Sequence, residues 1–201
     1  MQLNIFRSLW GLEHRKESTI PRQVYYEQQF SELRALGYHG IEASIGDVWA
    51  LVKGDSPLSD DTAEIHNVAT FFCALLNKNN LQFICGVYTS WVSFFPLQQY
   101  FQPFLSETND YIGDWQKHTV AEHLSQYKRQ LAIARIMNPV RINVHSGSDD
   151  FTMEEAVEFF LGAQDIEQEA GVDGLVSHET HRVCVFRTRD GSAMLRHIRM
   201  S

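Results

Sequence analysis

The order of apolar and amphipathic segments is the feature that most limits how this 201-residue chain can fold. Short apolar runs alternate with amphipathic segments, which predicts strands over residues 2–10, 40–45, 81–88, 140–145 and 174–182 with a helix in each interval. This alternation is typical of a parallel sheet with right-handed helical crossovers, either an open doubly wound sheet or part of a barrel. No glycine-rich phosphate loop follows the first strand, which disfavours a nucleotide-binding sheet.

The predicted helices carry start and stop signals. They cover residues 21–36, 61–79, 116–137 and 152–170. Ser59 or Asp60 is expected to cap the second helix, and Thr152 with Glu155 forms a capping box at the fourth. Gly171 follows as a stop. On the first helix, helical spacing predicts the apolar, core-facing positions Val24, Phe30, Leu33 and Leu36.

Two connections are predicted to be loops. Residues 46–60 are rich in Gly, Asp and Ser, and residues 89–115 are rich in aromatic side chains and carry two prolines. A long connection after a strand is often a lid or a binding loop. The aromatic segment equally fits a loop with its own small apolar cluster, or an oligomer contact.

Composition narrows the functional classes. A net charge of −8 disfavours a nucleic-acid or an anionic membrane partner. The cysteines Cys73, Cys85 and Cys184 lie far apart with no CxxC, which predicts neither a disulfide framework nor a cysteine-rich zinc site and favours a reducing compartment. The first residues lack the pattern of a secretory signal, and no apolar run approaches the roughly 20 residues of a membrane span. We therefore expect a cytoplasmic protein.

Polar side chains gather where the predicted strands end. On the fourth strand Val140, Ile142 and Val144 alternate with Arg141, Asn143 and His145, and in a closed barrel this polar set, like Glu179, would point inward. Trp10, Glu42, His145, Glu179 and His181 all lie at or near the strand ends. Because parallel strands bring their carboxyl ends to one edge, these side chains would meet where parallel α/β folds place their chemistry. Trp10 also fits a core or rim aromatic, and Glu42 also fits an edge strand that faces water.

Residues 174–182 hold the densest group of titratable side chains. Ser177, Glu179 and His181 would share one face of a strand. A carboxylate beside an imidazole suits metal binding or acid–base work, whereas a solvated strand end is the alternative interpretation. His178 and His181 are three residues apart, so they do not form the helical zinc-protease motif, which needs a spacing of four.

Three motifs resemble the sugar phosphate isomerase/epimerase family with the xylose isomerase-like TIM barrel. They are Gly-Ile-Glu (40–42), Ile-Asn-Val-His-Ser-Gly (142–147) and His-Glu-Thr-His-Arg (178–182), in the order of successive barrel strands. The resemblance implies an α/β fold over residues 1–182, namely a partial (β/α)8 TIM barrel of about five βα units with parallel strands. Residues 183–201 would then be an atypical basic tail.

The resemblance also implies a divalent-metal enzyme that acts on a sugar or sugar derivative. In the family the metal ligands are a Glu of the fifth strand, which Glu179 matches, and Asp, His and Glu from later strands. The implied reaction is proton transfer next to a carbonyl, with Mg, Mn, Co or Zn stabilising the enediolate. Glu179 and His145 would be catalytic, and substrate contacts would come from Trp10, Glu42, His181 and Arg182.

The chain departs from the family in extent. A barrel of this type has eight βα units and about 250 residues, whereas this sequence predicts five strands and supplies one of the four expected ligands. Residues 183–201 carry four arginines and one aspartate and no strand ending in Asp, which suggests a shifted reading frame or a retained intron.

Three functional interpretations remain open at this point. The first is an incomplete isomerase or epimerase without activity of its own. The second is a non-catalytic partial barrel that binds a partner or self-associates through open strand edges. The third is a relative of the metal-dependent DNA-repair nucleases that share this barrel, which the acidic charge balance disfavours.

Overall fold

Parallel strands run side by side in chain order in a computed structural model that describes residues 3–14, 18–89, 119–148 and 151–179. The strands are β1 (Phe6–Ser8), β2 (Gly40–Ser44), β3 (Gln82–Tyr88), β4 (Arg141–His145) and β5 (Val176–Glu179). Each strand pairs in parallel with the next. This sequential order is that of a barrel wall, because a doubly wound sheet reverses its strand order part-way. The predicted fold class is confirmed.

Five helices of the described ranges lie between these strands, and all but the second are close to the predicted bounds. They are α1 (Arg22–Ala35), α2 (Ile45–Lys53), α3 (Thr62–Lys78), α4 (Val120–Ile136) and α5 (Met153–Ala170). The capping box of Thr152 and Glu155 and the left-handed Gly171 are confirmed at the two ends of α5. The predicted cap of α3 was wrong by one or two residues, because the Asp61 side chain accepts from the Ala63 N–H.

The helix α2 replaces the first part of the loop predicted over residues 46–60. Ser44 and Asp47 form a reciprocal capping box: the Ser44 hydroxyl accepts from the Asp47 N–H, and the Asp47 carboxylate accepts from the Ser44 N–H. Val48, Trp49 and Leu51 are then buried at helical spacing. The loop prediction was wrong because Gly, Asp and Ser are common in turns, whereas Ser44 and Asp47 here start a helix.

Other segments also differ from the prediction. The first strand is only three residues long instead of covering residues 2–10. Val24 and Leu36, expected on the core side of the first helix, are 41% and 68% exposed, and Tyr26 is buried in their place. Val140 lies before β4 and is 42% exposed, so it does not share the buried face of that strand.

The hydrophobic core lies between the sheet and its helices. Alternate strand residues fill it, namely Ile41, Ala43, Cys85, Val87, Ile142 and Val144. The other face of the same strands is partly buried and mostly polar, as predicted for β4. The near-continuous apolar run of residues 81–88 predicts a strand buried on both faces, but Gln82 is exposed and Ile84 and Tyr88 are only partly buried.

Some predictions fall outside the described residues. These are the aromatic loop from residue 90 onward, the residues His181 and Arg182, and the tail 183–201. Among the helices of the described ranges, none has both the length and the hydropathy that crossing a bilayer requires.

Candidate active site at the carboxyl ends of the strands

Three side chains meet in the last row of the sheet, on the face turned away from the helices. Tyr88 pairs in register with His145, and His145 pairs with Glu179. The neighbours Val87, Val144 and His178 point the other way because strand side chains alternate between faces. The predicted inward direction of His145 and Glu179 is therefore confirmed.

The imidazole of His145 contacts the carboxylate of Glu179. His145 Nε2 lies 2.9 Å from Glu179 Oε2, and the two side chains are 14% and 39% exposed. A carboxylate and an imidazole side by side were predicted within residues 174–182, with His181 as the imidazole. The structure shows His145 beside Glu179, because the strand register places the two residues directly opposite each other. His181 lies outside the described residues, so its place beside Glu179 stays a prediction.

Glu42 is held by a hydrogen bond across the sheet. Asn143 Nδ2 donates to Glu42 Oε1 over 3.1 Å, although β3 lies between their two strands. Glu42 lies on β2, which has β1 and β3 as neighbours, so an edge position does not explain its carboxylate. A charged group on an inward face with a dedicated donor is typical of a binding site.

Tyr88 was not predicted as a site residue. Its ring meets the His145 ring edge-on at a centroid distance of 4.5 Å. Burial raises the pKa of the Tyr88 phenol above its usual range, and the carboxylates of Asp47, Glu42 and Glu179 raise this pKa further. Tyr88 therefore stays protonated at neutral pH and is a hydrogen-bond donor among acidic groups.

A buried glutamine fixes the end of β3. Gln130 on α4 accepts from the Tyr88 N–H over 3.1 Å and donates to the Tyr88 carbonyl over 2.9 Å. Gln130 is only 8% exposed. This double hydrogen bond satisfies both backbone groups of the strand end and sets the position from which the Tyr88 side chain starts.

The remaining predicted residues are not brought together. Trp10 lies two residues beyond β1 and is 79% exposed, which places it at the rim rather than in the core. Its contact with substrate stays a prediction. His181 and Arg182 lie outside the described part of the chain, and their roles stay predictions as well.

Ligand chemistry at this edge fits a divalent ion only in part. Carboxylate oxygen and imidazole nitrogen are suitable donors for Mg, Mn, Co or Zn. Within the described ranges, however, no three His, Cys, Asp or Glu side chains are arranged to hold a metal ion together. Glu179 and His145 are one pair of candidate ligands, and a complete site needs further groups.

Comparisons with known proteins identify the fold. No protein-family model and no curated protein sequence matches this chain. Among solved structures, a xylose isomerase-like TIM barrel protein from Mycobacterium smegmatis in complex with magnesium superposes with a TM-score of 0.52 at 14% identity, over 98% of this chain. The fold is that of part of a TIM barrel. This barrel chain spans 61% of the length of the mycobacterial protein.

Other solved barrels are also similar to this chain, at lower TM-scores. Endonuclease IV from Thermus thermophilus gives a TM-score of 0.45 at 16% identity, over 96% of this chain and 57% of that one. GH5_18 from Streptomyces cattleya in complex with GlcNAc gives 0.48 at 14% identity, over 88% of this chain and 45% of that one.

Proposed function

We propose that this chain forms part of a divalent-metal-dependent TIM-barrel site for a sugar or sugar derivative, of the isomerase or epimerase type. The observation that carries the proposal is the contact of 2.9 Å between His145 Nε2 and Glu179 Oε2 at the carboxyl ends of adjacent strands. The complex of the similar mycobacterial protein with magnesium supports a divalent ion as the cofactor.

Each inward side chain has a role in this proposal. Glu179 is the metal ligand, and His145 orients its carboxylate. Glu42, held by Asn143, accepts a hydrogen bond from a substrate hydroxyl, and Tyr88 donates one. Held by Glu179, a divalent ion would stabilise negative charge on the substrate oxygens, and His145 would accept the proton that leaves the carbon next to the carbonyl. Trp10, His181 and Arg182 are the further substrate contacts of the proposal.

Affinity for the metal is expected to be low. Glu179 is the one metal ligand of the proposal, whereas Zn²⁺ is usually held by three or four protein ligands and octahedral Mg²⁺ needs six donors in all. Because the expected Asp, His and Glu partners were not found in the sequence, we propose that this chain by itself turns over little or no sugar.

A metal titration of the full chain tests the proposal. Glu179→Gln removes the charge and keeps the shape, so Mn²⁺ affinity measured by calorimetry should fall by about 10-fold or more. Glu169→Gln is the matched control, because Glu169 lies on α5, is exposed and pairs with Lys128. Equal Mn²⁺ binding by the wild type and Glu179→Gln would show that Glu179 holds no metal.

A second candidate function is a partial barrel that self-associates. Within the described ranges β1 pairs only with β2, and β5 only with β4, so each offers an edge for a further strand. Light scattering after gel filtration measures the outcome. A discrete, folded dimer without Mn²⁺ affinity would favour this function over the metal site.

A further inference from the structure

A buried chain of hydrogen bonds joins the end of β5 to the helices, on the side of the sheet away from the candidate site. His178 Nδ1 lies 2.5 Å from Ser146 Oγ, and His178 Nε2 lies 3.1 Å from Glu167 Oε1. The Tyr127 hydroxyl donates to the same Glu167 oxygen over 2.7 Å. Ser146 and Tyr127 are 0% exposed, Glu167 is 7% exposed and the His178 side chain is 24% exposed, so most of these bonds are shielded from water.

The carboxylate of Glu167 determines which of its neighbours donate hydrogen bonds. A carboxylate can only accept, so His178 Nε2–H and the Tyr127 hydroxyl both donate to Glu167. The Ser146 hydroxyl has one proton, so it either donates to His178 Nδ1, or donates to the Val144 carbonyl 3.3 Å away and accepts from a doubly protonated His178. Serine, histidine and glutamate in this order resemble a hydrolase triad, but a nucleophile must reach its substrate and Ser146 is fully buried. The arrangement therefore holds structure in place.

These hydrogen-bonded residues lie next to His145 and Glu179 in the sequence, which indicates their role. Ser146 follows His145, and His178 precedes Glu179. Successive strand residues point to opposite faces, so the ends of β4 and β5 are linked twice. The contact of Ser146 with His178 links them on the helix side, and the contact of His145 with Glu179 links them on the inward side.

The strand β5 depends on such a link more than its neighbours do. It has four residues, and within the described ranges β4 is its only partner strand. The Phe160 ring packs edge-on against His178 at a centroid distance of 5.2 Å, which limits rotation of the imidazole. An imidazole fixed between Ser146, Glu167 and Phe160 fixes the backbone that carries the next residue.

We propose that the chain of Tyr127, Glu167, His178 and Ser146 positions Glu179. By holding the backbone of β5 from the helix side, it directs the Glu179 carboxylate toward the inward face. These four are positioning residues, since none of them reaches the inward face itself. This inference rests on the proposed metal site for its consequence, but its structural part can be measured without metal.

The experiment uses two conservative substitutions in the full-length protein. Tyr127→Phe and Ser146→Ala each remove one hydroxyl group from the hydrogen-bonded residues and keep the packing. Tyr26→Phe is the matched control, because Tyr26 is also a buried tyrosine, and its hydroxyl accepts from the His14 N–H on α1's side of the molecule. Amide hydrogen exchange of residues 176–179 and Mn²⁺ affinity are measured for all variants under native conditions.

Both substitutions should speed amide hydrogen exchange at residues 176–179 by roughly five-fold, which is the effect of losing one buried hydrogen bond. They should also lower Mn²⁺ affinity by about 10-fold, as expected for groups that orient a metal ligand. Tyr26→Phe should change neither.

The outcomes separate the two proposals. Unchanged exchange at residues 176–179 in both variants would overturn the inference, whatever the metal does. Faster exchange with unchanged Mn²⁺ affinity would also overturn it, since a merely structural role gives that result. A wild type that binds no Mn²⁺ overturns the proposed function, while faster exchange confined to β5 still supports the structural part of the inference.

Discussion

At the scale of single residues, the protonation of Tyr88 depends on groups from three neighbouring strands and from helix α2. Its ring is buried beside His145, and the carboxylates of Asp47, Glu42 and Glu179 act on its hydroxyl. Each of these groups disfavours the phenolate, so the proton stays on the oxygen well above neutral pH. A donor that remains neutral among acids can hold a sugar hydroxyl or carbonyl without adding charge to the site.

The raised pKa of Tyr88 gives a spectroscopic prediction. Free tyrosine titrates near pH 10, so ¹³Cζ-labelled protein at pH 11 should keep the Tyr88 signal at its phenol position. Because the folded-state pKa lies above the unfolded value, the stability contributed by Tyr88 is complete below about pH 10 and is lost as pH rises further. Tyr88→Phe assigns the signal, and a phenolate signal from Tyr88 at pH 10 would contradict the burial.

At this scale the sequence predicted directions but not contacts. The two-residue period of residues 140–145 and 174–182 predicted that His145 and Glu179 point inward. That Glu179 meets His145 depends on register between strands, which a one-dimensional pattern does not contain. Tyr88 was missed because it ends an apolar run, where an aromatic residue reads as core.

At the scale of elements, close packing of the strands explains why β2 begins with a glycine. A Cβ at Gly40 would collide with the backbone carbonyl of Gln82 on β3 and with the ring of Phe6 on β1. Both are register partners of Gly40, so the strands cannot move apart without losing their hydrogen bonds. The Gly-Ile-Glu motif thus combines a packing requirement at its first position with a candidate site residue at its third.

The substitution Gly40→Ala should therefore destabilise the fold. We expect a loss of about 3 kcal/mol in the free energy of unfolding, because overpacking against a fixed backbone carbonyl finds no relief. Gly174→Ala is the control, since a Cβ there meets nothing within 4 Å, and it should be neutral or stabilise by up to about 1 kcal/mol. Urea unfolding measures both, and equal midpoints would contradict the close approach of the strands.

Element boundaries could be predicted where local chemistry sets them. Thr152 with Glu155 and Gly171 bound α5 as expected, because capping depends on neighbours in sequence. The helix α2 was missed although Ser44 and Asp47 form the same kind of box. Its nine residues follow β2 without a turn, and a helix that starts directly at a strand end leaves no separating signal in the sequence.

At the scale of the whole molecule, the sheet brings three candidate site residues to one end. Tyr88, His145 and Glu179 close their strands at the carboxyl end, and Gly40, Gln82 and Arg141 begin theirs at the other. The alternation of predicted elements was sufficient to anticipate a parallel sheet, but the strand order that identifies a barrel appears only in the structure. The proposed function requires that metal bind at the carboxyl end.

Paramagnetic broadening by Mn²⁺ tests that requirement most directly. In the ¹⁵N spectrum of the full chain, sub-stoichiometric Mn²⁺ should first broaden the amide signals of Tyr88, His145 and Glu179, because broadening falls steeply with distance from the ion. The signals of Gln82 and Arg141, at the opposite end of the same strands, should stay sharp. Broadening that begins at the opposite end, or that is uniform along β3 and β4, would contradict a metal site at Glu179.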